Sequence, residues 1–284
     1  MKEPPFLSRA GHFFQKKLGF FRQSYRQDFF GRTFVIPAIN GRKTYISELW
    51  MADLIAALLR QRNGAFVDVG ANLGQTLLKV AALEPDREYL GFEPNPACAD
   101  YLFELVRLNK LHHIVIPAGL GPSTAVLKLN LYREESTDPS ASLVDGFRAA
   151  SFGSKPVVVI GWNDLPQQLR PQNVAIVKID VEGGEREVLD GLRELMDTQK
   201  PFVLVEILPP HTADNHDRIE RQEHIERTLK NLDYIIFRVR KGPDECFCGL
   251  KRVDGFGIHS DLGLSDYLLV HRQDLAFAQH LATV

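Results

Sequence analysis

The chain contains only three cysteines, Cys98, Cys246 and Cys248. Their number and spacing exclude a disulfide scaffold, and Cys246-Phe247-Cys248 has no second pair to complete a zinc site. They read as ordinary thiols of a reducing, cytoplasmic compartment. No apolar run reaches the roughly eighteen residues of a membrane span, and no uninterrupted apolar signal segment follows the start. A formal net charge of −2 leaves no electrostatic footprint for nucleic acid, which is therefore not expected as a partner. There is no internal repeat and no Asn-Pro-Pro-Tyr motif, the amide clamp that methylation of DNA bases or glutamine requires. What remains is a soluble composition, 44% hydrophobic and 25% charged over 284 residues, enough for one full α/β core and an extension.

Phe66 to Gly74 read F-V-D-V-G-A-N-L-G, and G-F-E-P follows with Glu93 closing a second apolar run. Phe66, Val67 and Val69 give a buried strand; Gly70 and Gly74 let the backbone turn into a helix, where Asn72 is also a candidate N-cap. Glu93 then stands where an acid grips ribose hydroxyls in a β-α-β nucleotide site. A dinucleotide fingerprint needs glycine at its second position, so that backbone can approach a pyrophosphate; Ala71, Asn72 and Leu73 occupy the interval here. Asp68 repels a pyrophosphate but suits an ammonium or sulfonium cation. S-adenosylmethionine carries both, and is favoured over NAD.

Alternating elements continue along the chain. Residues 46–61 are helical by periodicity, with Ser47 as N-cap; Ala97 to Lys110 form an amphipathic helix, and His113 to Pro117 a third strand. Thr124 to Tyr132 alternates with period two, and Val157 to Ile160, Val174 to Asp180 and Phe202 to Ile207 supply further strands. Helices are expected at Glu185 to Met196 and Arg218 to Leu232, and last strands at Tyr234 to Val239 and Tyr267 to His271, with a polar, Gly-rich loop between them. Repeated β-α units predict an α/β, doubly wound, mostly parallel sheet.

A second motif is K-I-D-V-E-G-G-E, Lys178 to Glu185. Asp180 ends a strand at the carboxyl edge, where open α/β sheets bind ligands. Gly183 and Gly184 permit close backbone approach. Glu185 suits a helix first turn without any chemistry, whereas Asp180 and Glu182 are candidate site groups, because carboxylates this close repel unless something cationic or protic lies between them.

Taken in order, V-D-V-G-A-N-x-G, F-E-P and K-I-D-V-E-G-x-E resemble the FkbM family of S-adenosylmethionine-dependent methyltransferases, over roughly Glu48 to His211. The resemblance implies a Rossmann-like class I methyltransferase fold, a seven-stranded sheet whose last strand is antiparallel. It also implies roles by position: Asp68, Gly70, Asn72 and Gly74 at the methionine end of the cofactor, Glu93 at the ribose, Ala118, Gly119 and Leu120 at the adenine, and Asp180 beside the transferred methyl. Ser142-Leu143 matches a pair frequent in the family, while Gly161-Trp162-Asn163-Asp164 departs from its usual Thr-Leu-Asp-Asp. The expected acceptor is a hydroxyl of a sugar, glycolipid or secondary metabolite. Asp180 is the first candidate base, Glu182 an acid beside it, and His211 a second candidate; Glu206 is placed to bind acceptor hydroxyls or to cap backbone amides. No metal is expected, a divalent ion on the carboxylates being the less favoured reading because no His joins them. An NAD-type oxidoreductase and a non-catalytic docking module are the alternatives.

Residues 1–34 hold nine aromatics and seven Lys or Arg against two acids. Such clusters suit a helix in an anionic membrane interface, a cap on the core, or a homodimer contact. The expected division is an extension over 1–45 and a catalytic domain over 46–284.

Overall fold

The computed structural model describes residues 22–149 and 151–282. Most of the aromatic and basic segment, residues 1–21, lies outside the described residues. An antiparallel hairpin, β1 (Arg22–Phe29) and β2 (Arg32–Ile39), precedes α1 (Leu49–Gln61). The β-α series is β3 (Ala65–Val69), α2 (Gln75–Leu83), β4 (Tyr89–Phe92), α3 (Pro96–Asn109) and β5 (Ile114–Ile116). β6 (Gly119–Gly121), β7 (Ala125–Leu131) and β8 (Gly153–Gly161) follow, then β9 (Val174–Ile179), α4 (Glu185–Gly191), α5 (Arg193–Gln199), β10 (Phe202–Glu206) and α6 (His216–Asn231). β11 (Tyr234–Lys241), β12 (Phe247–Val253), β13 (Asp266–His271) and α7 (Leu275–Leu281) complete the chain.

The main sheet runs β12-β11-β13-β10-β9-β3-β4-β5, and β6-β8-β7 form a separate three-stranded sheet. β5, β4, β3, β9 and β10 are parallel neighbours; β13, the last strand, is antiparallel to β10. Period-two alternation divides the side chains between two cores. Phe66, Ile176, Leu204 and Leu268 face Leu54, Leu58, Leu77 and Leu102 on one side, whereas Val67, Val177, Val203 and Leu269 face Val188, Ile225 and Leu229 on the other. Burying each such side chain stabilises by roughly 1.5–3 kcal/mol. Apart from Asp68 in β3 and Lys178 in β9, the central strands β3, β4 and β9 are apolar runs because helices cover both faces.

Three local expectations are corrected. The sheet has eight strands where seven were expected, since β12 occupies part of the presumed loop; its apolar Phe247, Leu250 and Val253 are not at period two, and Lys251 and Arg252 are tolerated because the strand is an edge. The helix expected from Glu185 to Met196 is two helices that break at Gly191-Leu192, where a Cβ on Gly191 would lie 2.3 Å from the Gly121 carbonyl oxygen. Ser47 is not an N-cap: α1 starts after Glu48, in a left-handed conformation, and the Ser47 hydroxyl donates instead to Gln75 (2.7 Å).

The described end of the aromatic segment belongs to the core. Phe29, Phe34 and Ile36 are buried, and Asn109 of α3 holds β2 by accepting from Val35 N–H (2.7 Å) and donating to Val35 O (2.8 Å). Phe29 and Phe34 therefore pack inward and present nothing to a membrane.

Candidate functional site

The carboxyl edge of the sheet brings separate motifs together. Val69 and Val205 both pair with Ile179, so Gly70, Asp180 and Glu206 are the next residues on three neighbouring strands. Gly70 is required there: φ is +88°, and a Cβ would stand 1.8 Å from the Asp180 carbonyl oxygen. Gly74 serves packing, because a Cβ would meet Leu105 and Leu102 of α3 within 3 Å. After β4, Glu93 accepts the N–H groups of Asn72 and Asn95, both at 2.8 Å, which fixes the loop after β3 to the loop after β4. Asn95 in turn caps α3 by accepting from Ala97 N–H.

Two cavities meet at this edge. The first, about 400 Å³, is lined by Gly70, Asn72, Glu93, Gly119, Leu120, Leu143, Val188, Asp180 and Glu182 among others. The second, about 670 Å³, lies against Arg42, Lys43, Thr44, Tyr45, Glu48, Lys178 and Glu206. Gly70, Asn72, Pro139, Asp180 and Glu182 line both.

Of the residues expected in the site, Gly70, Asn72, Glu93, Gly119, Leu120, Asp180 and Glu182 come together around the first cavity. Asp68, Gly74, Ala118 and His211 line neither cavity. Asp68 is wholly buried, accepts the Tyr89 hydroxyl at 2.6 Å, and has Lys178 Nζ 3.6 Å away, so the cation it was expected to meet is one of the chain's own. His211 sits in an exposed turn at φ +55°. The short helical turn Trp162–Asp164 replaces the family's Thr-Leu-Asp-Asp, and Asp164 ties it back by accepting from the Thr124 N–H and hydroxyl.

Burial raises the carboxyls of the site. Glu93 is pushed up to about 7 by desolvation, against the two backbone N–H donors. Glu185 reaches about 7 for the same reason while accepting from Gly183 N–H (2.8 Å), so it holds the glycine turn, and it lines neither cavity. Glu206 is pushed up to about 9 by burial and then by Asp180, Asp266, Glu182 and Glu48. Burial also raises Glu182, as does Asp180, and Arg148 at 2.6 Å opposes them. For Lys178 burial works against the charge, but Asp180 and then Asp68 outweigh it and raise the ammonium above its ordinary value.

The loop between β7 and β8 closes the shared wall, and its role was not legible beforehand. The Ser142 hydroxyl donates to Glu182 O (2.6 Å), Asn95 donates to Ser136 O (2.8 Å), and Asp138 accepts from Tyr132 and Arg133 N–H. Phe147 lies over Gly183, where a Cβ would stand 2.4 Å from its ring, and the Arg218 guanidinium is 4.5 Å from the same ring centroid. The Ser, Asp and Pro of Glu135 to Ser142 mark a loop in the sequence, but only Ser142-Leu143 tied it to the site.

No described helix is long and apolar enough to cross a membrane. Among the described residues no group of three His, Cys, Asp or Glu is arranged to hold a metal.

The Methyltransferase FkbM domain model matches residues 68–236, more than half of the chain. Hexuronic acid methyltransferase AglP of Haloferax volcanii is 28% identical over 172 residues, covering 57% of this chain and 67% of its own length. Methyltransferase sdnD of Sordaria araneosa is 28% identical over 163 residues, covering 46% of this chain and 61% of its own. The crystal structure of Methyltransferase FkbM from Methylobacillus flagellatus KT aligns with TM-score 0.45 and 16% identity, over 74% of this chain and 44% of that one. With the motifs of β3, β4 and β9 assembled at one sheet edge and the domain model spanning all of them, the chain belongs to the FkbM methyltransferase domain family.

Proposed function

We propose that the chain transfers a methyl group from S-adenosylmethionine to a hydroxyl oxygen of a sugar or a related metabolite. The observation that carries this reading is the position of Asp180 on the boundary of both cavities, with Lys178 Nζ 3.1 Å behind it. The first cavity suits an adenosyl group: Glu93 keeps further lone pairs for ribose hydroxyls beyond those used on Asn72 and Asn95, and Leu120, Leu143 and Val188 supply apolar walls for a base. When bound, S-adenosylmethionine supplies a methyl on a sulfonium, so that the acceptor oxygen gains a C–O bond as the C–S bond breaks.

Most of the rate in such a displacement comes from alignment, and the shared wall of Gly70, Asn72, Pro139, Asp180 and Glu182 provides it. The acceptor hydroxyl must also lose a proton. Asp180 receives it, and the Lys178 ammonium 3.1 Å away orients its carboxylate. Glu182 is engaged by Arg148 and shapes the wall. His211 has no part in this scheme.

The acceptor belongs to the second cavity, whose polar lining of Glu48, Glu206, Lys43 and Thr44 fits a hydroxylated molecule better than an apolar one. The hexuronic acid named for the Haloferax relative favours a sugar. Incubation with S-adenosylmethionine labelled in its methyl group and a panel of free sugars, uronic acids and lipid-linked glycans tests the proposal. Alkali-stable label in a sugar ether supports it, and label recovered only in ester or N-methyl products refutes O-methylation of a hydroxyl.

A further inference from the structure

The carboxylates at the sheet edge are not equivalent. Asp180 has Lys178 at 3.1 Å, Glu182 has Arg148 at 2.6 Å, and Asp266 is paired with Lys241. Glu206 stands in this row, next to Asp180 along β9 and directly opposite Asp266 on β13. Among the described residues no side chain or backbone group hydrogen-bonds to its carboxyl and no cation pairs with it, although Lys178 and Lys241 serve its neighbours. It lines the second cavity and not the first. A second observation points to a ligand there. Thr44 lines the same cavity at 1% exposure, and its hydroxyl has no partner; buried hydroxyls are ordinarily satisfied.

We infer that Glu206 is the hydrogen-bond donor of the acceptor site, giving its carboxyl proton to an oxygen that neighbours the hydroxyl received by Asp180, so that the two acids together select a vicinal diol. This inference rests on the methyl-transfer reading and names its substrate class. Like charges close together cannot all ionise, and the member without a cation is the one that keeps its proton. Burial, and then Asp180, Asp266, Glu182 and Glu48, which face it, hold the Glu206 carboxyl up to about 9. A neutral carboxyl donates where a carboxylate only accepts. Neighbouring strands lie about 4.8 Å apart, so groups on adjacent strand ends converge on oxygens of adjacent carbons. Asp180 accepts from one hydroxyl while Glu206 donates to the next. The arrangement discriminates because an acceptor lacking the second oxygen leaves the Glu206 donor unpaired.

The protonation of Glu206 is read without knowing the natural acceptor. Infrared difference spectra of the full chain against Glu206→Gln, taken across pH, give the carboxylic acid band of this one residue. The band should persist at pH 7 and disappear with a midpoint near 9. In protein saturated with S-adenosylhomocysteine, cis-1,2-cyclohexanediol at about 100 mM, enough to occupy a site of millimolar Kd, should move that midpoint upward. Cyclohexanol at the same concentration should not. A midpoint below 6, no shift with the diol, or equal shifts with both probes overturns the inference. If Glu206→Gln does not fold, Glu206→Asp serves as the reference, since it displaces the band. The titration without cofactor is independent of methyl transfer, so failure of S-adenosylhomocysteine to bind would count against the function and leave the Glu206 midpoint readable.

Discussion

Lys178 Nζ lies 3.1 Å from the carboxylate of Asp180, and the same ammonium stands 3.6 Å from the wholly buried Asp68. One lysine thus pairs with the first acid of each of two motifs more than a hundred residues apart. Replacing it with methionine leaves Asp68 buried and supported only by the Tyr89 hydroxyl. Removing one partner of a buried pair costs about 3–5 kcal/mol. Chemical denaturation of Lys178→Met should show a loss of that order, and Lys178→Met combined with Asp68→Asn should recover part of it. A single variant as stable as the wild type would show that the pair contributes nothing.

Asp180→Asn removes the proton acceptor but keeps the shape of the shared wall. Turnover should fall by about a hundredfold or more, while S-adenosylmethionine affinity changes far less. Equal loss of both would make Asp180 a cofactor-site residue, and normal turnover would leave it no catalytic role.

Glu93 makes a pH prediction whose sign follows from its buried state. Its carboxyl is raised to about 7, above its ordinary value, so the folded protein binds its proton more tightly than the unfolded chain. The resulting contribution to fold stability is present at low pH and is lost as pH rises through about 7. Cofactor binding has the opposite preference, because ribose hydroxyls donate to the carboxylate. Affinity for S-adenosylhomocysteine should decline as pH falls below about 7, and Glu93→Gln should flatten that decline while weakening binding at pH 8 by roughly 1–3 kcal/mol. An unchanged profile in Glu93→Gln would remove Glu93 from the site.

Residues 1–21 precede every cofactor motif, and their aromatic and basic composition suits location or assembly. Deleting them should leave S-adenosylhomocysteine affinity within about threefold and weaken binding to anionic vesicles or self-association. Deleting residues 1–34 should in addition lower the unfolding midpoint, since Phe29 and Phe34 are buried and removal of a core Phe costs about 3–5 kcal/mol. Lost cofactor binding in the shorter deletion would instead make that segment a lid.

The β-α-β frame was legible because its signals are local: continuous apolar strands, Gly70 at a turn, and acids just past strand ends. Gly70, Glu93 and Asp180 were placed correctly at the sheet edge by that logic. The surroundings of Asp68 were not legible, because sequence gives the residue type but not its direction; the next position in a strand points to the other face, and Asp68 turns toward Tyr89 and Lys178. β12 was missed because an edge strand does not alternate cleanly. The Arg148–Glu182 pair and the packing of Phe147 over Gly183 join segments far apart in the chain, and no local pattern encodes them.

The central claim is that the first cavity is a S-adenosylmethionine site, and calorimetric titration of the full chain with S-adenosylmethionine and with NAD tests it most directly. The account predicts one-to-one binding of S-adenosylmethionine with a Kd near the micromolar range, about −8 kcal/mol, and no heat with NAD. Binding of NAD with none of S-adenosylmethionine would contradict it.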